Sequence, residues 1–362
     1  MGKRRAFWLG LVVVVLTLAV GLPQAIAERN PMNESPPPGA PLSPGAIISN
    51  GTIQLGVVDQ GQLNEPGGSA SICGETIVGL RYLPNNSEST SPGCLCEGWG
   101  VADGVSGVSG YADQSKGVVN VTDVSFVSDA TTAVSVVTVG GDFQVTHDFF
   151  PSASPFLYEC VVTIENISGG DLTDLRYTRQ MDWDTEPTPF SEFVTIQGTA
   201  AAANVLYADD NGFQIPDPLA SRSALLATGD FVDSGPADHG SLFDFGFGAL
   251  AAGESMTFSI FYGAAPSQAD ALAALTTVNA EVYSFGQVDW DGSGDLLSGC
   301  PGAPGGTYGA STGEPHTFIF GFAGVGGTAL GGAIPTTSRT GVVILVLLMS
   351  GAAVLVLRRR FL

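Results

Sequence analysis

Two acidic segments that each read Asp-Trp-Asp carry the residue types best suited to chemistry in this chain of 362 residues. The segment from residue 289 places oxygen-bearing side chains at positions 1, 3, 5 and 7 of a calcium-type loop and Gly294 at position 6, with Cys300 where such loops have Glu. The other segment would put two carboxylates on one face of a strand, about 7 Å apart. We therefore expect calcium as a cofactor, with two sets of candidate ligands: Asp289, Asp291, Ser293 and Asp295, and, as the weaker set, Asp182 and Asp184.

Paired carboxylates could also act as acid and base in a glycosidase, for example Asp182 with Glu186 or with Asp289. Other catalytic motifs are weak. The run from Gly309 to Gly313 fits a nucleophile elbow, but it has no apolar strand before it and no helix after it. His147 falls on the apolar face of a strand, which favours a core histidine bonded to backbone. A non-enzymatic protein is favoured, and a secreted carbohydrate-active enzyme is the alternative.

The five cysteines allow two disulfides and one free thiol. Cys94 and Cys96 stand one residue apart, and we expect each to seek a distant partner because the short ring between them would distort the peptide. A Cys-x-Cys zinc site is disfavoured, since no histidine is near in sequence. Cys160 alternates with apolar residues and is the candidate for the buried thiol. The disulfide candidates, whose pairing stays open, are Cys73, Cys94, Cys96 and Cys300.

Alternating patterns of apolar and polar residues predict an all-β fold over residues 47–323, a predominantly antiparallel β-sandwich that could extend into a supersandwich. The clearest strands lie between Val118 and Phe150, where Gly140-Gly141 predicts a tight hairpin. One amphipathic helix should begin at Ser267, which forms a capping box with Asp270. Its predicted apolar face consists of Leu272, Leu275, Val278, Val282 and Phe285.

The two ends of the chain predict export. Residues 1–27 have the basic start, apolar run and Ala25-Ile26-Ala27 site of a signal peptide, and a Pro-rich linker follows over 28–46. All 35 acidic residues lie between the two ends, where only six of the 13 Lys and Arg remain, so the net charge there is about −29. This charge excludes nucleic acid as a partner. At the other end, a Gly-rich linker over 324–333 leads to an apolar span from Gly341 to Leu357 that ends in three arginines.

That final segment, residues 334–362, resembles the IPTL-CTERM/PEP-CTERM type of bacterial protein-sorting domain. The resemblance implies an exosortase-type enzyme and the export machinery as partners. A transmembrane helix would hold the protein until the tail is removed, and a permanent anchor stays an open alternative. The residues that carry the resemblance are Ile334, Pro335, Thr336, Ser338, Gly341, Arg358, Arg359 and Arg360.

The central region resembles uncharacterised secreted bacterial β-rich proteins through two segments, residues 93–101 and 181–190. This resemblance carries no known chemistry. Taken together, the sequence predicts an exported protein of the cell envelope, cell surface or extracellular matrix, a structural or binding module that calcium could stabilise. An extracellular polysaccharide is a candidate partner.

Overall fold

Alternating side chains and glycine-rich turns give this protein a fold dominated by β-strands. A computed structural model describes residues 45–291, 300 and 309–331. The strands of this part, in chain order, are β1 Ala46–Ser49, β2 Ile53–Val57, β3 Leu80–Tyr82, β4 Ser87–Glu88, β5 Gly98–Asp103, β6 Ser109–Asp113, β7 Gly117–Val119, β8 Val121–Ser128, β9 Ala133–Val139, β10 Phe143–Pro151, β11 Leu157–Asn166, β12 Leu172–Trp183, β13 Glu192–Gln197, β14 Val205–Asp209, β15 Phe231–Ala237, β16 His239–Leu250, β17 Ser255–Ala265, β18 Val282–Gln287 and β19 Thr317–Ala323.

The strands form three sheets, and every pairing between the strands named above is antiparallel. The largest sheet has nine strands in the order β15-β13-β18-β19-β17-β11-β10-β9-β8. A six-stranded sheet has the order β14-β16-β12-β5-β6-β7, and β1 to β4 form a third sheet. The structure thus confirms a predominantly antiparallel all-β fold with one helix.

Aromatic side chains join the nine-stranded and six-stranded sheets. The ring of Tyr177 on β12 meets the ring of Phe258 on β17 edge to face, with centroids 5.1 Å apart. Phe243 on β16 lies against Phe322 on β19 at 4.9 Å. These side chains belong to one buried apolar cluster that also takes in residues of the four-stranded sheet. The inward faces of both larger sheets are therefore buried against each other.

A buried ion pair crosses this core. Arg179 on β12 and Glu97 are both fully buried, and the guanidinium Nε donates to the Glu97 carboxylate over 2.5 Å. The Tyr262 hydroxyl donates to the same carboxylate oxygen over 3.0 Å. His147 lies beside this network and is buried as expected, but its Nε2 bonds to the Tyr177 hydroxyl at 3.0 Å rather than to backbone. Burial and the Arg179 charge lower the pKa of His147 well below 6.5, so it stays neutral.

The outer strands of the nine-stranded sheet are irregular. On one edge, β8 shifts its register against β9 between Asp123 and Ser125. On the other edge, β15 shifts twice against β13 and contains Pro236, which has no backbone N–H. Inside the sheet the predicted hairpin between β9 and β10 is present. Gly140 and Gly141 supply the two positive φ angles, 60° and 79°, that its tight turn requires.

The helix begins where predicted and is shorter than predicted. α1 spans Gln268–Thr277, and the Ser267 side chain accepts a hydrogen bond from the Asp270 amide. Asn279 then adopts a left-handed φ of 55°, which ends the helix. The expected apolar face is therefore wrong beyond Val278, because Val282 and Phe285 belong to β18. Leu272 is exposed, and the helix buries Ala271, Ala274 and Leu275.

The cysteines pair in a way that corrects one expectation. Cys73 bonds Cys300 across a separation of 227 residues. Cys94 bonds Cys96, contrary to the expectation of distant partners. Leu95 lies between the two cysteines and is part of the ring that the disulfide closes. The ring is long enough for the two Cα atoms to stand 5.2 Å apart, an ordinary distance for a disulfide. Cys160 is a buried free thiol.

The predicted signal peptide, most of the Pro-rich linker and the sorting tail lie outside the described residues. Within the described ranges, no helix has the length and apolar character needed to cross a bilayer.

Candidate functional site

Asp182 and Asp184 lie at the end of β12, where close backbone packing holds the chain. Asp182 pairs with Gly240 of β16 in the antiparallel register. A Cβ atom at Gly240 would stand 2.0 Å from the Met181 carbonyl oxygen, so only glycine fits there. Beyond the strand, the Asp184 amide donates to the Ser89 carbonyl over 2.7 Å. The backbone that carries both carboxylates is therefore fixed from two sides.

Two further acids join this pair. Asp238 lies between β15 and β16 and is exposed. Asp182, Asp184 and Asp238 each have one carboxylate oxygen within 4.8 Å of such an oxygen on the other two residues. Glu192 begins β13 and is fully buried. The ring Nε2 of His239 bonds to the Glu192 backbone oxygen at 3.1 Å, which ties this strand to the start of β16. We call these four residues the acidic cluster: Asp182, Asp184, Glu192 and Asp238.

The buried oxygens of the acidic cluster lack hydrogen-bond donors. Both carboxylate oxygens of Asp184, both of Glu192 and Oδ1 of Asp182 are buried and no donor reaches them. The remaining oxygen of Asp182 lies 3.4 Å from Cys94 Sγ, a sulfur that carries no proton because it is disulfide-bonded. Buried polar groups in folded proteins almost always have partners, so this many unpartnered oxygens in one place point to a missing ligand.

The acids strongly perturb one another. Burial, followed by the charge of Asp238, raises the pKa of Asp182. Burial, followed by the charge of Asp182, raises the pKa of Asp184. The two carboxyls lie close enough to share a proton. Burial, then Asp184 and Asp182, raises the pKa of Glu192 well above 4.5. Without a cation the cluster must therefore hold protons at neutral pH.

Basic side chains do not neutralise the cluster. In the part of the chain that the structure describes, Lys116 lowers the pKa of Asp182, but less than burial and Asp238 raise it. The arginines of the same part each pair with another acid, in the ion pairs Arg81–Glu88, Arg176–Asp174, Arg179–Glu97 and Arg222–Asp244.

The donor set suits a hard divalent cation. All its atoms are carboxylate oxygens, which calcium, magnesium and manganese prefer. A calcium ion binds oxygens at about 2.3–2.6 Å, so two oxygens on one ion lie at most about 5 Å apart. The spacing within 4.8 Å meets this limit. One bound cation would give the buried oxygens of Asp182 and Asp184 the partner they lack, with Asp238 as a third ligand.

The loop expected to be the stronger calcium site has other contacts at its first residue. Oδ1 of Asp289 accepts hydrogen bonds from the backbone amides of Gly309 and Ala310, at 2.6 and 3.2 Å, and Oδ2 accepts one from the Ser191 hydroxyl at 3.3 Å. Asp291 is exposed. Ser293 and Asp295 lie outside the described residues, so this candidate set as a whole stays a prediction.

The residues suggested for catalysis are also tied into the fold. Glu186 accepts hydrogen bonds from the Ser71 hydroxyl and the Glu88 amide. Ser311 donates to the Gln287 side chain at 2.8 Å rather than facing a histidine. His316 bonds to the Glu186 carbonyl and the Asn85 side chain.

Sequence reasoning found Asp182 and Asp184 but missed Glu192 and Asp238. Neither missed residue stands in a motif, and the register of β12 with β16 and the pairing of β13 with β15 bring them to the site. The one signal in the sequence that could have indicated Asp238 is its position in the short connection between β15 and β16, directly before His239. Comparison with known proteins adds no assignment, since no protein family model and no curated protein sequence matches the chain.

Proposed function

We propose that this protein is an exported, non-enzymatic surface or matrix module, built as an extended β-sandwich, whose fold is stabilised by calcium bound at the acidic cluster. The observation that carries the calcium part is the set of buried, unpartnered carboxylate oxygens on Asp182 and Asp184, which with Asp238 lie within reach of one ion. Burying charged groups without partners costs several kcal/mol, and a divalent cation would offset that cost.

The choice of calcium rests on ligand type and cluster charge. Three carboxylates lie within reach of one ion and no sulfur or imidazole donor belongs to the set, which favours a hard ion. Calcium also accepts irregular coordination by six to eight oxygens, whereas magnesium requires a near-ideal octahedron and keeps several waters. An exported protein would meet free calcium outside the cell. The predicted signal peptide and the resemblance of the tail to a sorting domain support export.

The test is thermal unfolding of residues 28–333 in metal-free buffer, with and without calcium. Calcium at 100 times its dissociation constant should add about 2.7 kcal/mol, which for a chain of this size raises the midpoint by about 4 °C. Asp184→Asn should abolish the rise. Asp291→Asn is the matched control, because it removes an acid from the loop that the sequence favoured and should keep the rise. An unchanged midpoint in the unmodified protein would refute the calcium site.

A further inference from the structure

Phe190 is the exposed aromatic residue of the described chain. It is 43% exposed, while every other Phe, Tyr and Trp side chain of the described ranges is buried or half-buried. An exposed Phe has an apolar face that water solvates poorly, but single exposed apolar residues are common, so its backbone and its neighbours must show whether it marks a site.

The Phe190 backbone is also strained. Its φ is 72°, in the left-handed region that a bulky side chain rarely adopts. Conformations of this kind cost of order 1–3 kcal/mol and occur preferentially at ligand clamps. The surrounding fold holds Phe190 in place, since Ser191 donates its backbone N–H to the Thr188 carbonyl at 3.2 Å and its hydroxyl to Asp289 at 3.3 Å.

The ring lies next to the acidic cluster. Gly93 connects them, because a Cβ atom built there would stand 2.6 Å from Cε1 of Phe190 and 3.1 Å from Oδ2 of Asp184. Gly93 is itself exposed and has a φ of 81°. The missing side chain lets the exposed Phe190 ring lie close to the buried Asp184 carboxylate, because a Cβ atom at this position would clash with the ring.

A cation at the acidic cluster would have coordination positions left over. The cluster offers four carboxylates, and geometry places one oxygen each from Asp182, Asp184 and Asp238 within reach of a single ion. Calcium takes six to eight oxygens. Asp238 is exposed, so the remaining positions on that side face solvent. Oxygens from outside the protein must complete the shell.

We propose that a neutral saccharide completes this shell, with two neighbouring hydroxyls on the calcium ion and one sugar face on the Phe190 ring. The inference rests on the calcium site proposed above and names its ligand. Vicinal hydroxyls supply two hard oxygen donors at the spacing of one ion, and the apolar C–H face of a sugar ring complements an aromatic face.

Charge decides between a neutral sugar and an acidic one. The three carboxylates of Asp182, Asp184 and Asp238 exceed the charge of one divalent ion, so the occupied site stays negative. The arginines of the described chain are paired elsewhere, which leaves Lys116 as the near cation. A uronic acid would add a further negative charge to this field and be repelled, whereas a hydroxylated neutral polymer would not.

The experiment uses the full chain in mild detergent and measures binding of galactomannan, a neutral polysaccharide with vicinal hydroxyls, and of alginate, a polyuronate. Calcium binding is measured by calorimetry on the same samples. Galactomannan should bind with calcium and fail to bind after chelation. Phe190→Ala should weaken binding about tenfold, the value of one aromatic contact, and Phe190→Trp should retain it. Val124→Ala, an exposed apolar residue on the opposite edge strand β8, should leave it unchanged.

The outcomes separate this inference from the proposed function. Calcium binding without galactomannan binding overturns the saccharide ligand alone. Binding that survives chelation or Phe190→Ala also overturns it, as does a preference for alginate. Absence of calcium binding overturns the calcium site and the saccharide ligand together. Calcium binding that is equal in Phe190→Ala and the unmodified protein shows that the variant is folded, so its loss of galactomannan binding is a loss of contact.

Discussion

Raising the pH should destabilise the metal-free protein, and calcium should reverse this effect. The acidic cluster carries carboxyls whose pKa is raised by burial and by one another. The folded state therefore binds protons that the unfolded state, with ordinary carboxyl pKa values near 4, has already lost. A group of this kind contributes stability at low pH and loses it as the pH rises toward its folded pKa.

The magnitude follows from the number of retained protons. The free energy of unfolding falls by about 1.36 kcal/mol per pH unit for each carboxyl that stays protonated only in the folded state. The close pair of Asp182 and Asp184 holds at least one proton, and buried Glu192 adds another. Between pH 6.5 and 8.5 we expect a loss of about 3 kcal/mol from the pair, to which Glu192 adds for as long as it keeps its proton.

Asp113 and Glu186, whose pKa burial raises to about 7, also lose protons in the lower half of this window, so the fall in stability above about pH 7.5 is the part that belongs to the cluster. Burial holds His316 neutral in the folded state, with its pKa lowered to about 4, and lowers that of His147. Both histidines oppose folding only below their unfolded pKa of about 6.5, where the unfolded state takes up protons. Burial raises the pKa of the Cys160 thiol, and its unfolded value near 8.5 sets the upper limit.

The assay is urea unfolding at several pH values in this window, in metal-free buffer and again with saturating calcium. The ion replaces the protons, so stability with calcium should stay level or rise with pH. Asp184→Asn should remove about 3 kcal/mol of the metal-free pH dependence. Metal-free stability that rises from pH 6.5 to 8.5 would refute the claim that these buried carboxyls are protonated. A pH profile that calcium leaves unaltered would refute the cation site.

Two further variants test the framework around the site. Glu97→Gln leaves the buried Arg179 guanidinium without its charge partner. Urea unfolding should therefore show that the free energy of unfolding falls by about 3–5 kcal/mol. A fall of less than about 1 kcal/mol would contradict the buried pairing. Replacing Cys73 and Cys300 together by serine removes a cross-link over 227 residues, and the free energy of unfolding should fall by about 2–5 kcal/mol; equal stability of the oxidised protein and the double variant would refute the pairing.

Local patterns in the sequence predicted much of the fold. Alternating valines located β9 and most of β8 and β10, and Gly140-Gly141 located the turn between β9 and β10. The capping box at Ser267 located the start of α1. Each of these signals depends on residues that are near in the chain, where backbone propensity and period decide the structure. The end of α1 was missed because Asn279 was not recognised as a residue able to take a left-handed conformation.

Of the four residues of the acidic cluster, the sequence predicted two. Asp182 and Asp184 share a strand end, so their spacing was visible in the sequence. Glu192 and Asp238 reach them only through the packing of β13 and the register of β16, which no local pattern encodes. The loop that begins at Asp289 matches the ligand spacing of a calcium loop. The spacing alone could not show that the backbone amides of Gly309 and Ala310 donate hydrogen bonds to the Asp289 carboxylate. Long-range pairing therefore decided which acids came together.

The irregular outer strands of the nine-stranded sheet bear on how copies of this protein behave when crowded. A flat, regular outer strand offers a ladder of free N–H and C=O groups on which another chain can add a strand, the first step toward fibres. The shift in β8, the two shifts in β15 and the missing N–H of Pro236 interrupt that ladder at both edges. Addition of a strand from a neighbouring molecule is therefore disfavoured at both edges of the nine-stranded sheet.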